Sequence, residues 1–508
     1  LNGVHLGRYG TQVVSYYDIE RVEVVKGPQN TLFGRSAIAG AIAVTTARPT
    51  QDFDAFLEVG AGNRERITAT GMVNLPVSDA LAFRIAGTID DRAGYLKNTF
   101  GGSDIGVSDV AAARVTGRFT PDERLTADLI LNYEDRKETG NVYSEVGLPD
   151  FTVNSSLRGR ENRSDFEVLD ATLDLRVGLS DAWELRSLTN YRTVEADYAE
   201  DYDGLAIIAG GPYYQGQDVD LFNQELRLKF ESARGLTFIV GASYFDESMD
   251  AFVAEWVDTG LAFTGTPAPG LQPGDYSNAF IEKGFYDSGA EGYSFFVDLS
   301  VPVTERLTLT AGARYNRDEK TLTLAIPDPA VLAENANAPF PCACYLYGAW
   351  LSTPLSLERT WDDTSVRLAL DYDLTADVGA YVSWSQGWKA GGIESFKFAL
   401  PPGFPLFFGL DLAAAGGSLR SYDPETVDSW EIGIKGFAAD RRVQFDLVAY
   451  YFDFKDLQKS VFQGATAVIQ NVGSADGRGI EADLRFRPSE NWTLFVNAAY
   501  NDTEIKDD

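Results

Sequence analysis

The chain has 508 residues, 44% hydrophobic and 12% aromatic, enough to bury a large apolar area. Its formal net charge of −32, from 43 basic and 75 acidic residues, repels phosphate backbones and sets nucleic acid aside as a partner. Mean hydropathy is −0.16, and no run of about 18 apolar residues exists to form a membrane helix; strands that alternate apolar and polar residues average to the same value and stay open as membrane spans.

Residues 1–50 read as a compact, loop-rich unit. Ile19-Glu20-Arg21-Val22-Glu23-Val24-Val25-Lys26 predicts a short strand, and Gly27-Pro28 a turn. Asn30-Thr31-Leu32-Phe33-Gly34-Arg35-Ser36 and the small-residue run Ala37–Ala43 lead into a second strand that closes at Arg48-Pro49. The only histidine, His5, is expected to be structural rather than a metal ligand.

From about residue 53 onward the pattern has period two. Leu307, Leu309, Ala311, Ala313 and Tyr315 share one face, and Thr308, Thr310, Gly312, Arg314 and Asn316 the other. Residues 442–451 and 480–487 repeat it, with Val443, Phe445, Leu447, Ala449 and Tyr451, then Ile480, Ala482, Leu484 and Phe486, on the apolar side. The segments run roughly 10–15 residues, longer than the usual strand of a soluble sandwich. Several apolar faces end in an aromatic (Tyr315, Tyr372, Trp384, Tyr500), as an interfacial girdle requires.

Connections alternate in length. Short turns are expected near Pro76–Asp79, Pro121–Glu123, Ser180–Asp181, Ser232–Arg234, Pro302–Thr304, Leu374–Ala376, Ala438–Asp440 and Pro488–Glu490. Long irregular stretches are expected near 92–107, 137–163, 198–216, 250–289, 321–357, 389–422 and 456–476. That layout is the one an outer-membrane barrel has and a sandwich has no reason to obey. The fold class is therefore all-β, a transmembrane antiparallel barrel of about 17 strands (51–508) preceded by a separate domain (1–50). An odd count does not close a bacterial single-chain barrel, so the sequence is expected to be a fragment lacking both ends.

The stretch from Arg21 through Gly27-Pro28, Leu32-Phe33-Gly34 and the Gly40 strand to Arg48-Pro49 resembles the end of the plug domain of TonB-dependent receptors. Three later segments resemble barrel segments of that family: Ser385-Gln386-Gly387-Trp388-Lys389-Ala390-Gly391-Gly392, Pro424-Glu425 through Trp430-Glu431-Ile432-Gly433-Ile434-Lys435, and Gly477-Arg478-Gly479-Ile480-Glu481. The resemblance implies a barrel of 22 strands with a plug in its lumen, a missing N-terminal segment that contacts TonB, and barrel glutamates paired with plug arginines. Carried over, the ionic contacts are Arg21 with Glu431 and Glu481, and Arg35 as a weaker candidate; the bland reading makes each a solvated lumen charge.

Solute capture is expected in the long loops, where Tyr213, Tyr214, Trp256, Phe263, Tyr345, Tyr347, Trp350, Phe404, Phe407 and Phe408 cluster, although packing between loops or lipopolysaccharide contact explains such aromatics equally. Cys342 and Cys344 are disulfide candidates despite their awkward spacing, with metal binding the lesser alternative. No G-x-S-x-G, H-E-x-x-H or phosphate loop appears, and Asp371 and Asp373 share a polar strand face, so catalysis, resident metals and cofactors are not expected. The resemblance points to energy-dependent uptake of a scarce solute across the outer membrane by a monomer working with TonB. A ferric siderophore or other iron complex leads, with cobalamin, haem or an oligosaccharide behind it. A passive porin, a structural outer-membrane protein and a soluble β-sandwich binder are the readings from other classes.

Overall fold

The computed structural model describes all residues except 8–11, 101–103, 145–146, 156, 158–160, 202, 206–209, 267, 271–276, 339, 344, 400–409, 464–465 and 507–508. Strands β1 (Ile19–Lys26) and β2 (Gly40–Thr46) form an antiparallel hairpin, with the one-turn helix α1 (Asn30–Phe33) between them. Gly40 has a positive φ of 150°, and a Cβ there would lie 2.5 Å from the Val25 carbonyl oxygen, so only glycine lets the hairpin close at this point.

Seventeen further strands make one sheet. They are β3 (Asp54–Ala61), β4 (Ile67–Ser78), β5 (Leu81–Arg92), β6 (Ser108–Asp122), β7 (Leu125–Glu138) and β8 (Arg163–Gly178). Then come β9 (Trp183–Glu200), β10 (Gly210–Glu231), β11 (Thr237–Asp258), β12 (Ala279–Pro302), β13 (Leu307–Ala325) and β14 (Leu355–Thr375). The last are β15 (Val378–Lys389), β16 (Glu425–Ala438), β17 (Val443–Lys455), β18 (Ser474–Ser489) and β19 (Trp492–Lys506).

Their ring order is that of a barrel. Antiparallel registers join every successive pair from β3 to β19. The ring closes between β19 and β3, which are hydrogen-bonded neighbours, and both strands are exposed along almost their whole length. An odd count brings these two strands together parallel, so the antiparallel hydrogen-bond pattern cannot continue there.

The faces are the reverse of those in a soluble protein. Apolar side chains look outward: Leu57, Leu129, Leu169, Phe295, Ile432 and Ile480 are exposed. Polar and charged ones are buried inside: Asn74, Asp128, Asp170, Asn190, Arg192, Asn316 and Ser365. A soluble domain buries apolar groups; a barrel in lipid faces them outward.

All eight expected short turns join consecutive strands. Strand length departs from expectation, since the strands span 8 to 24 residues and the longest is Ala279–Pro302. The aromatics mark where lipid ends rather than where strands end. Tyr133, Tyr191, Tyr315, Tyr451 and Tyr500 each lie eight residues from the short-turn end of their strands. That is about 26 Å of strand, comparable with an apolar band about 25 Å tall. Beyond it the outward positions turn acidic, with Asp135, Glu195 and Asp453, while the ladder continues. Charge there hides the apolar periodicity, so the extensions read as loop from sequence alone.

Candidate functional site: the plug interface and the barrel mouth

Residues 1–50 sit against inward-facing side chains of the barrel. Asp18 receives both Nε and Nη2 of Arg84 on β5, at 2.8 and 2.5 Å, and the pair is almost fully buried. The Ser15 amide and hydroxyl each donate to Glu134 of β7 at 2.9 Å, and Arg136 donates to the Ser15 hydroxyl at 3.2 Å. Arg114 donates to the Tyr17 carbonyl at 3.1 Å with its guanidinium 4.5 Å from that ring's centre. Arg192 donates to the Val13 carbonyl at 2.7 Å. Arg48 lies 3.6 Å from Asp128, which Arg118 also holds at 2.7 Å. Tyr17 adds apolar contact with Met72, Ala86 and Ala112.

The expected lock forms with a different cation. Lys26, not Arg21, donates to Glu481. Arg21 pairs with its own strand neighbour Glu23 at 3.0 Å and is half exposed. The five-residue offset explains the exchange. It turns Arg21 to the opposite face of β1 and places it about 16 Å farther along the strand. Glu431 makes no ion pair with residues 1–50 among the described residues; its Oε1 accepts the Tyr381 hydroxyl at 2.5 Å. Arg35 does reach the wall, 3.7 Å from Asp318 and stacked 3.6 Å over Phe245.

Sequence reading passed over Asp18, Ser15 and Asn30. Asn30 donates through Nδ2 to the Trp388 carbonyl at 2.7 Å. Trp388 belongs to the Ser385–Gly392 segment and is 1% exposed. In the same segment a Cβ on Gly387 would meet Ile38 at 3.0 Å, so that glycine admits the residues 1–50 unit to the wall. The glycine-rich motif was the available signal; the two carboxyl and hydroxyl partners had none.

His5 is shielded from water and lies near Arg35, and these two effects push its pKa down to about 3. Its Nδ1 accepts the Gly7 amide at 3.0 Å, a bond that requires an unprotonated nitrogen.

At the outer end, Leu346, Tyr347, Ala349 and Leu351 of the connection between β13 and β14 pack against Val253, Tyr286, Leu322 and Leu324 of the strands. The Glu282 carboxylate on β12, fully buried, accepts the backbone amides of Tyr345, Leu346 and Tyr347 at 2.7, 2.9 and 3.4 Å. The Tyr286 and Tyr347 hydroxyls are 2.8 Å apart, and the Tyr347 ring stacks on Phe396. Tyr347 is thus a packing residue here, and Tyr213 and Trp350 lie partly buried against the same cluster. Tyr213, Tyr214 and Trp256 belong to strands β10 and β11 rather than to loops. Tyr345 is half-buried beside Phe280, and Phe263 is exposed on a short helix, Thr259–Thr264. Phe404, Phe407 and Phe408 lie outside the described residues. Cys342 is disulfide-bonded, and Cys344, the other cysteine, also lies outside them. A cleft of about 680 Å³ is lined by outward residues such as Asp165, Glu167, Asp197, Asp218 and Asp287. It flanks the barrel above the apolar band and does not lead to residues 1–50.

Residues 94–508 match the family model described as TonB dependent receptor-like, beta-barrel, and residues 1–41 match the TonB-dependent Receptor Plug Domain. The chain belongs to the TonB-dependent receptor family. A pesticin receptor of Yersinia enterocolitica is 21% identical over 97% of this chain and 64% of its own length. A ferrioxamine receptor of the same species is 31% identical over 100% of this chain and 66% of its own. The structure of the ferric yersiniabactin uptake receptor from Yersinia pestis superposes with a TM-score of 0.74 at 19% identity, over 96% of this chain and 67% of that one. This TonB-dependent receptor chain thus spans about two thirds of the length of the relatives it matches. It is an outer-membrane protein, and members of its family are transport receptors rather than enzymes.

Proposed function

We propose that the protein takes up a ferric siderophore or a similar iron complex across the outer membrane, driven through TonB. One observation carries the reading: a plug segment is held in the barrel by directional, water-exchangeable polar contacts rather than by a fused apolar core. A pulled plug can exchange the exposed ones, Lys26–Glu481 among them, for bonds to lumen water at modest cost. A plug set in an apolar core would have no such exchange.

In this reading residues 1–50 are the plug part and 51–508 the barrel part. Solute binds at the mouth near Tyr213, Tyr214, Trp256, Tyr345 and Trp350, with Tyr347 packing their cluster rather than meeting solute and Phe407 and Phe408 as further candidates. Lys26, Glu481 and Arg35 hold the plug until TonB engages its periplasmic side. The protein works as a monomer without catalysis, its outward faces against lipid and lipopolysaccharide. Cobalamin, haem and oligosaccharide are the other cargo classes.

Uptake of radiolabelled iron chelates by a deletion strain carrying the full-length gene tests this. Accumulation of one chelate that needs both the gene and TonB is expected. Undiminished accumulation without TonB would overturn it.

A further inference from the structure

A cavity of about 80 Å³ lies where the plug segment meets the wall, lined by His5, Gly34 and Arg35 on one side and by Glu225, Arg314, Asn316 and Asp318 on the other. That volume admits two or three waters or one small ion. Three donor atoms of this lining are buried without a hydrogen-bond acceptor: Arg35 Nη1, Arg314 Nη1 and Asn316 Nδ2. Arg314 is 4% exposed and Asn316 2%. The remaining Arg314 donors are satisfied, Nε by Asn316 Oδ1 at 3.0 Å and Nη2 by Ser243 and Ser294 at 2.8 and 2.5 Å. Gly34, with a φ of 90°, brings plug backbone close enough that a Cβ would lie 3.3 Å from Arg314 Nη2. Unpaired buried donors of this kind carry a desolvation penalty unless something accepts from them.

The charges identify the acceptor. The lining itself carries Arg35 and Arg314 against Glu225 and Asp318, and Arg227, just outside it and 2.8 Å from Glu225, adds a third positive charge. One positive charge is left over with His5 neutral. We propose that the cavity binds one small monovalent inorganic anion of the chloride class, which bridges Arg35 of the plug to Arg314 of the wall. The anion accepts from Arg314 Nη1 and Asn316 Nδ2, and from Arg35 Nη1 beside its ion pair with Asp318, and balances the surplus charge. The anion fastens the Phe33–Arg35 loop to β13, whichever solute the receptor carries.

The full-length receptor, crystallised in bromide, is expected to show an anomalous peak in this cavity, lost in Arg314→Gln. Amide exchange across residues 33–38, compared in chloride and in gluconate at equal ionic strength, is the second readout. With the anion at about ten times its dissociation constant, linkage makes opening about tenfold slower in chloride. Asn316→Asp keeps the acceptor for Arg314 Nε and adds a fixed negative charge, so its exchange is expected to be slow in both salts. Water alone in the cavity, or equal wild-type exchange in the two salts, overturns the proposal. A bromide peak without any salt effect means an adventitious ion only and overturns it too.

Discussion

Asp18–Arg84 and Lys26–Glu481 link the same two parts of the molecule but differ in surroundings. The Asp18 and Arg84 side chains are 4% and 13% exposed, whereas Lys26 is 63% exposed. Removing one charge of the buried pair strands the other, at about 3–5 kcal/mol. An exposed pair is worth about 1 kcal/mol or less. Asp18→Asn is therefore expected to speed amide exchange of the β1–β2 hairpin far more than Lys26→Met. A double-mutant cycle on Lys26 and Glu481 is expected to show a coupling of a few tenths of a kcal/mol, while Arg21 with Glu481 is additive. Coupling at Arg21 instead would mean the hairpin sits differently. His5 gives a pH dependence. Its folded pKa of about 3 lies below the ordinary value of 6.5. The unfolded segment therefore binds the proton first, and docking weakens as pH falls from about 6.5 towards 3. Exchange rates of the neighbouring amides against pH check this: His5→Gln should flatten the acid limb, and an unchanged limb would place the titration elsewhere.

Among the elements, turns were far more legible than strand ends. Each short turn carries Pro, Gly, Ser, Asp or Asn, residues whose backbone preferences act locally. The strands above the apolar band carry Asp, Glu and Tyr outward, so their pairing depends on neighbours that a single sequence does not display. The loop aromatics could not be sorted for the same reason. Tyr347 becomes a packing residue because Glu282, more than sixty residues away, gathers three amides of its loop. Glu282→Gln removes the charge from those bonds, and the loss is expected at about 1–3 kcal/mol. Loop 342–351 should then exchange about tenfold faster or more, with the barrel strands unaffected. Unchanged protection of that loop would show that the apolar cluster alone holds it. The plug motif was legible as a whole, yet its cation was misplaced, because a motif fixes residue types while the register of β1 decides which charge reaches the wall.

Across the whole molecule, one inversion organises everything else: buried polar groups inside, exposed apolar groups outside. It explains how a chain of net charge −32, with no helix among the described residues long and apolar enough to cross a membrane, can live in a bilayer. It also gives the plug a polar wall to grip. An outward arginine at Ile432 should cost about 2–4 kcal/mol in bilayer stability if that position lies near the midplane, and much less at inward Lys435. The most direct test is a nitroxide scan of residues 429–435 of the full-length receptor in lipid bilayers. Oxygen, which partitions into lipid, should collide most at 430, 432 and 434, and a water-soluble nickel complex at 429, 431, 433 and 435. Flat profiles, or the opposite phase with the apolar side shielded from oxygen, would contradict the account.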